Sequence, residues 1–165
     1  MTRRLLLASL AAFATAGAAQ LDVPYVRQVK DGCGAAVAAM VLGYWDRAAA
    51  NPEELHRELF SPERGGTLAS ALRDAFVRRG YHALAFTGSQ ADLEEHVGRG
   101  RPLIVSLRPK AGAPLHYVVV AGVQAGAILL HDPARGPLLA VKREAFDRQW
   151  SAAGRWLLLA VPRSA

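Results

Sequence analysis

The only cysteine in this 165-residue sequence, Cys33, lies in the stretch "RQVKDGCGAAVAAMVLGYW", between Gly32 and Gly34 and directly ahead of an alanine-rich apolar run. A helix beginning there would turn unpaired backbone N–H groups and its positive dipole end toward the sulfur. Both effects favour the thiolate, which is the nucleophilic form. The same "GCG" equally suits a small cysteine that fills a contact between a helix and a strand, because unpaired cysteines are commonly buried. A lone cysteine makes no internal disulfide, and by itself it makes no cysteine-based zinc site.

A catalytic thiol needs a base, and usually a group that orients the base. Of the five histidines, His56 in "EELHREL" and His96 in "LEEHVGRG" sit among charges on helices and read as solvated, while His82 takes an alternating position in "YHALAF". His116 opens the strongly apolar strand "HYVVVAGV", and His131–Asp132 end the next one, "AGAILLHDP". A short turn near Gln124–Gly126 pairs the two strands antiparallel and brings the start of one beside the end of the other. His116 and Asp132 are then neighbours. The imidazole could accept the Cys33 proton, and the carboxylate could hold its tautomer. Asp132 before Pro133 is also an ordinary turn residue. His131 is the rival base. Adjacent strand residues face opposite sides, so Asp132 is poorly placed to orient it, and replacement of His131 is expected to be mild. If His131 proved as important as His116, a metal held by His116, His131 and Asp132 would be the alternative. Gln28, five positions before Cys33, could lend its side-chain amide to an oxyanion site completed by the Cys33 N–H.

These residues depend on elements that the patterning predicts. "LDVPYVRQ" alternates and carries Pro24, as an extended edge segment does. In "CGAAVAAMVLGYW", Val37, Met40, Val41, Tyr44 and Trp45 form the stripe of a helix packed on a core. A second helix opens at Asn51 with Pro52 in its first turn. A third is capped by Thr67, shows Leu68, Leu72 and Phe76 on one face, and ends at Gly80. Ser89 caps a fourth. Strands are expected in "YHALAF", "PLIVSL", "LHYVVVAGV", "AGAILLHDP", "GPLLAVK" and "RWLLLAVP", with a short helix in "REAFDRQW". Helices first and strands afterwards argue for an α+β fold with an antiparallel sheet, the N-terminal helices packed on it.

The first residues stand apart. "MTRR" is followed by 15 uncharged residues and by small residues around Ala18 and Ala19. That order is the one of a secretory signal peptide, and the run is short for a membrane span of about 20 residues. The expected organisation is a signal peptide over 1–19 and one domain over 20–165, exported to the periplasm or secreted; a retained N-terminal anchor is the alternative. Cleavage removes Arg3 and Arg4, and with them part of the net charge of +6. The remaining basic residues are interleaved with acids and no nucleic-acid motif accompanies them, so a solvated surface is expected rather than a nucleic-acid partner. Nor is any membrane association expected once the signal is removed.

Taken together, "VPYVRQVKDGCGAAVAAMVLGYW", "LHYVVVAGV" and "ILLHDPARG" resemble peptidase family C39, the bacteriocin-processing endopeptidases among the papain-like cysteine peptidases. The resemblance runs from about Leu21 to Pro162. Gln28, Cys33, His116 and Asp132 fall, in that order, at the family's oxyanion glutamine, nucleophile, base and orienting carboxylate. It implies a papain-like fold, a Cys–His–Asp triad, hydrolysis of peptide bonds in a peptide or protein substrate through a thioester, and no metal or organic cofactor. The best-known members cut leader peptides after two glycines and are often domains of membrane exporters, from which this chain departs by its own export signal. The alternatives within the fold are an acyltransferase or amidase using the same thioester, and a peptide-binding module without turnover.

Overall fold

The computed structural model describes residues 19–48 and 50–163. Residues 1–18, which hold nearly all of the expected signal peptide, lie outside the described residues. The chain runs β1 (Ala19–Gln20), α1 (Cys33–Trp45), α2 (Pro52–Leu59), β2 (Phe60–Ser61), β3 (Gly66–Thr67) and α3 (Ala69–Arg78). It continues with β4 (Tyr81–Thr87), α4 (Gln90–Gly98), β5 (Leu103–Leu107), β6 (His116–Val123), β7 (Ala127–Asp132), β8 (Gly136–Lys142), α5 (Arg143–Ser151) and β9 (Trp156–Pro162).

The main sheet has the order β4-β9-β5-β6-β7-β8, with β1 added to the end of β6, while β2 and β3 form a separate hairpin. Every pairing is antiparallel, as expected. One face packs on α1, α2 and α3 around Met40, Leu55, Leu72 and Phe76. The other packs on α4 and α5 around Leu93, Val97, Phe146 and Trp150. The N-terminal helices pack on the sheet as expected, and α4 and α5 close its second face. This explains why "LIVSL" is buried at every position and β6 at every position after His116: strands covered on both faces read as continuous apolar runs. β4 and β8, at the sheet edges, are mostly exposed.

The caps at Asn51 and Ser89 form as predicted. The Asn51 side chain accepts from the Glu53 and Glu54 N–H groups, and Ser89 and Asp92 exchange the two bonds of a capping box. Three expectations need correction. The helix α1 is not amphipathic, because every residue from Gly34 to Gly43 is buried. Its alanines let neighbours approach from all sides, and a helix that is apolar all round belongs in a core. Thr67 does not cap α3: the N-cap is Leu68, and no side chain bonds there. Thr67 belongs instead to β3, and Leu68 is exposed rather than on the packed face. The segment 21–29 after β1 is no paired strand. It is a strap held by separate bonds: Leu21 N–H donates to Ala121 O at 2.7 Å and Gln28 N–H to Pro133 O at 3.0 Å. Pro24, which has no N–H, is one reason a regular ladder does not form.

Candidate active site

Cys33 is the first residue of α1 and is half-buried. No side chain caps this helix end, so its N-terminal N–H groups are not claimed by a capping residue. The flanking glycines have separate reasons. A Cβ on Gly32 would come 2.9 Å from Val29 Cγ2 and 3.1 Å from His56 Nδ1. A Cβ on Gly34 would overlap Thr67 Cβ and Oγ1. Asp31, with φ of 56°, makes the turn that enters the helix.

His116 is the first residue of β6, where the loop after β5 meets the scaffold. Asp132 is the last of β7. The antiparallel register, Val119 opposite His131 and Val120 opposite Leu130, brings these two ends together. His116 Nε2 lies 2.8 Å from Asp132 Oδ1, and that oxygen also accepts from Ala134 N–H at 2.9 Å. With Nε2 bound to the carboxylate, Nδ1 is the nitrogen left for the thiol. Burial opposes a charge on His116, but the hydrogen bond to Asp132, the neighbouring Cys33 sulfur and the Asp132 charge outweigh it, raising the imidazole to about 9. Burial pushes the Asp132 carboxyl up, yet the His116 bond and charge, the Ala134 N–H and Arg135 hold it below the usual carboxylate range. The pair therefore favours imidazolium and carboxylate, beside the sulfur.

Gln28, Cys33 and His116 line one open cleft of about 630 Å³. Thr67, Leu68, Leu115 and Tyr117 also line it. The four residues singled out in the sequence thus share one locality, three lining the cleft and Asp132 behind His116. Tyr117 was missed. Burial, and after it the neighbouring Cys33, push its phenol up to about 12, and its hydroxyl donates to Thr67 O at 3.3 Å. Its only sequence signal is its place directly after His116.

His131, the rival base, is placed differently from His116. It is 3 % exposed, and both ring nitrogens are engaged by backbone: Nε2 at 2.8 Å from Val23 O, and Nδ1 accepting from Leu138 N–H at 3.0 Å. Among the described residues no group of three or more His, Cys, Asp or Glu is placed to hold a metal ion. Alternation along β7 does send His131 and Asp132 to different partners. The inference that replacing His131 would be mild does not follow, because the face opposite Asp132 is also covered. His56 and His96 are half-buried rather than solvated. His56 stacks on Phe60, with ring centroids 5.1 Å apart, and His96 Nδ1 is buried without a partner among the described residues.

Comparison with known proteins identifies the family and the fold. The model of the Peptidase_C39 like family matches residues 20–157. A double glycine motif protease from an AMS/PCAT transporter, solved in complex with the leader peptide, is 24% identical, with a TM-score of 0.71 over 87% of this chain and 94% of that one. The peptidase domain of Streptococcus ComA, a bi-functional ABC transporter of a quorum-sensing pathway, is 22% identical, with a TM-score of 0.71 over 84% of this chain and 98% of that one. At these identities the likeness is one of fold: helices and antiparallel sheet arranged as in the C39 peptidase domains. No curated protein matches the sequence.

Proposed function

The chain belongs to the Peptidase_C39 like family, and on that premise we propose that it is an exported cysteine endopeptidase acting through Cys33, His116, Asp132 and Gln28. Cys33 Sγ attacks the carbonyl carbon of a peptide bond, and the carbonyl oxygen takes up the negative charge. The Cys33 N–H and the Gln28 amide stabilise that oxyanion, the kind of donor pair that supplies a large share of such catalysis. His116, holding the thiol's proton on Nδ1, passes it to the leaving amine as the C–N bond breaks and the thioester forms. Water then attacks the thioester. His116 takes a proton from the water and returns it to the departing sulfur, releasing the acid. Asp132 holds the ring by Nε2 throughout.

The observation that carries this reading is the 2.8 Å bond from His116 Nε2 to Asp132 Oδ1, in a cleft that His116 lines together with Cys33 at a helix start. The relative bound to a leader peptide supports a peptide as substrate. The test is mass-spectrometric analysis of a peptide library after incubation with the wild type and with Cys33→Ala. Defined cleavage sites made only by the wild type are expected. Intact peptides with both proteins would overturn the assignment, and products carrying an added amine in place of water would make the protein a transferase.

A further inference from the structure

His131 is the buried titratable group for which the catalytic scheme has no use. Its partners identify a role. The strap that carries Gln28 is tied to the β7–β8 corner that carries Asp132 by four of its residues in succession. Val23 O meets His131 Nε2 at 2.8 Å. The Tyr25 hydroxyl donates to Asp132 O at 3.1 Å and to Pro133 O at 3.3 Å. The Arg27 guanidinium reaches Ala134 O at 3.5 Å, and Gln28 N–H donates to Pro133 O at 3.0 Å. The Tyr25 and His131 rings meet edge to face, centroids 5.8 Å apart at 76°. Leu138, with φ of 47°, presents its N–H to His131 Nδ1, so Nδ1 is the acceptor and Nε2 carries the hydrogen toward Val23. The ring is therefore neutral and held in one tautomer.

Gln28 Oε1, in contrast, is buried with no partner among the described residues. The side chain does not anchor itself, so the strap's backbone decides where the amide lies. We propose that Tyr25 and His131 are positioning residues of the oxyanion site: they clamp the Gln28 strap to the Asp132 corner, which the sheet itself holds, so that the oxyanion donor takes its place from that corner. This rests on the reading of Gln28 as an oxyanion donor.

The test uses Tyr25→Phe, which keeps the ring against His131 and removes only the hydroxyl bonds; His131→Ala risks the fold itself. Amide exchange of the whole protein reads the clamp without a substrate. Exchange at Gln28, whose N–H is bonded to Pro133 O, should quicken in Tyr25→Phe while β6 is unchanged; equal exchange in both proteins would overturn the clamp. Turnover reads its consequence. Tyr25→Phe should lower kcat on a cleaved peptide with little change in KM, by less than the roughly 100- to 1,000-fold loss set by removing the donor itself. Alkylation of Cys33, which forms no oxyanion, should keep its rate and pH profile. In the Gln28→Ala background the same substitution should cost less than about twofold, since residues acting through one group are not additive. Equal factors in both backgrounds, or turnover and alkylation falling together, would overturn the positioning role. Full turnover by Gln28→Ala would instead sink the oxyanion reading beneath it.

Discussion

Thr67 occupies the space that a side chain on residue 34 would need. A Cβ built on Gly34 runs into Thr67 Cβ and Oγ1, and the Tyr117 hydroxyl holds the same residue by its carbonyl. The start of α1, the β2–β3 hairpin and the strand of His116 therefore converge on one point beside Cys33. Gly34→Ala should destabilise the protein by about 1–3 kcal/mol, the usual cost of overpacking a tight core. Thr67→Ala should not relieve it, because Thr67 Cβ is itself in the way, whereas Thr67→Gly should recover part of the loss. Denaturant midpoints of the single and double variants measure this. A neutral Gly34→Ala would mean that the hairpin yields freely.

The Cys33–His116 pair should lose its proton at alkaline pH. The His116 imidazole is raised to about 9, so its proton supports both the ion pair and the fold. That contribution is complete below the ordinary imidazole value of 6.5 and disappears as pH rises through about 9. Asp132 is lowered, so its contribution is present above the ordinary carboxylate value and is lost as pH falls through the lowered one. The rate of Cys33 alkylation against pH should show an alkaline limb near 9. In Asp132→Asn the limb should move toward neutrality, since the bond and charge that raise His116 are removed. An identical limb in both proteins would assign it to another group.

On the proposed mechanism, Gln28→Ala should reduce peptide turnover roughly 100- to 1,000-fold while leaving alkylation of Cys33 intact, because it would remove one oxyanion donor and spare the thiol–imidazole pair. Cys33→Ala should abolish both. Steady-state kinetics on any cleaved peptide, run beside alkylation rates, separates the two functions. A Gln28→Ala protein impaired equally in both would point to a collapsed site.

Exported material should begin near Ala19 or Gln20. Gln20 pairs with Gly122, and Leu21 N–H bonds Ala121 O, so a cut after either alanine leaves the strap's attachment to β6 in place. N-terminal sequencing checks this, and protein still carrying Leu5–Ala18 would favour a membrane anchor.

Much of the site's geometry was written locally. The strands of His116 and Asp132 are long apolar runs joined by a turn of three residues, so the hairpin and the meeting of its ends follow from chain order alone. The caps at Asn51 and Ser89 follow likewise, because each bond spans two or three residues. The α+β class came from the order of elements, since a run of strands with short turns pairs antiparallel.

Tertiary structure decided what depends on partners far along the chain. An alanine-rich helix looks the same whether one face or every face is covered, and only packing buried all of α1 from Gly34 to Gly43. Thr67 reads as a helix cap, but its neighbour is Gly34, brought there by the hairpin. His131 reads as a spare histidine beside Asp132, because its acceptor, Val23 O, is 108 residues away and its donor needs the left-handed turn at Leu138. By itself the sequence determined which side chains could perform the chemistry and the hairpin that pairs two of them. The fold alone decided which backbone braces the rest, since a backbone carbonyl carries no residue type by which a sequence could announce it.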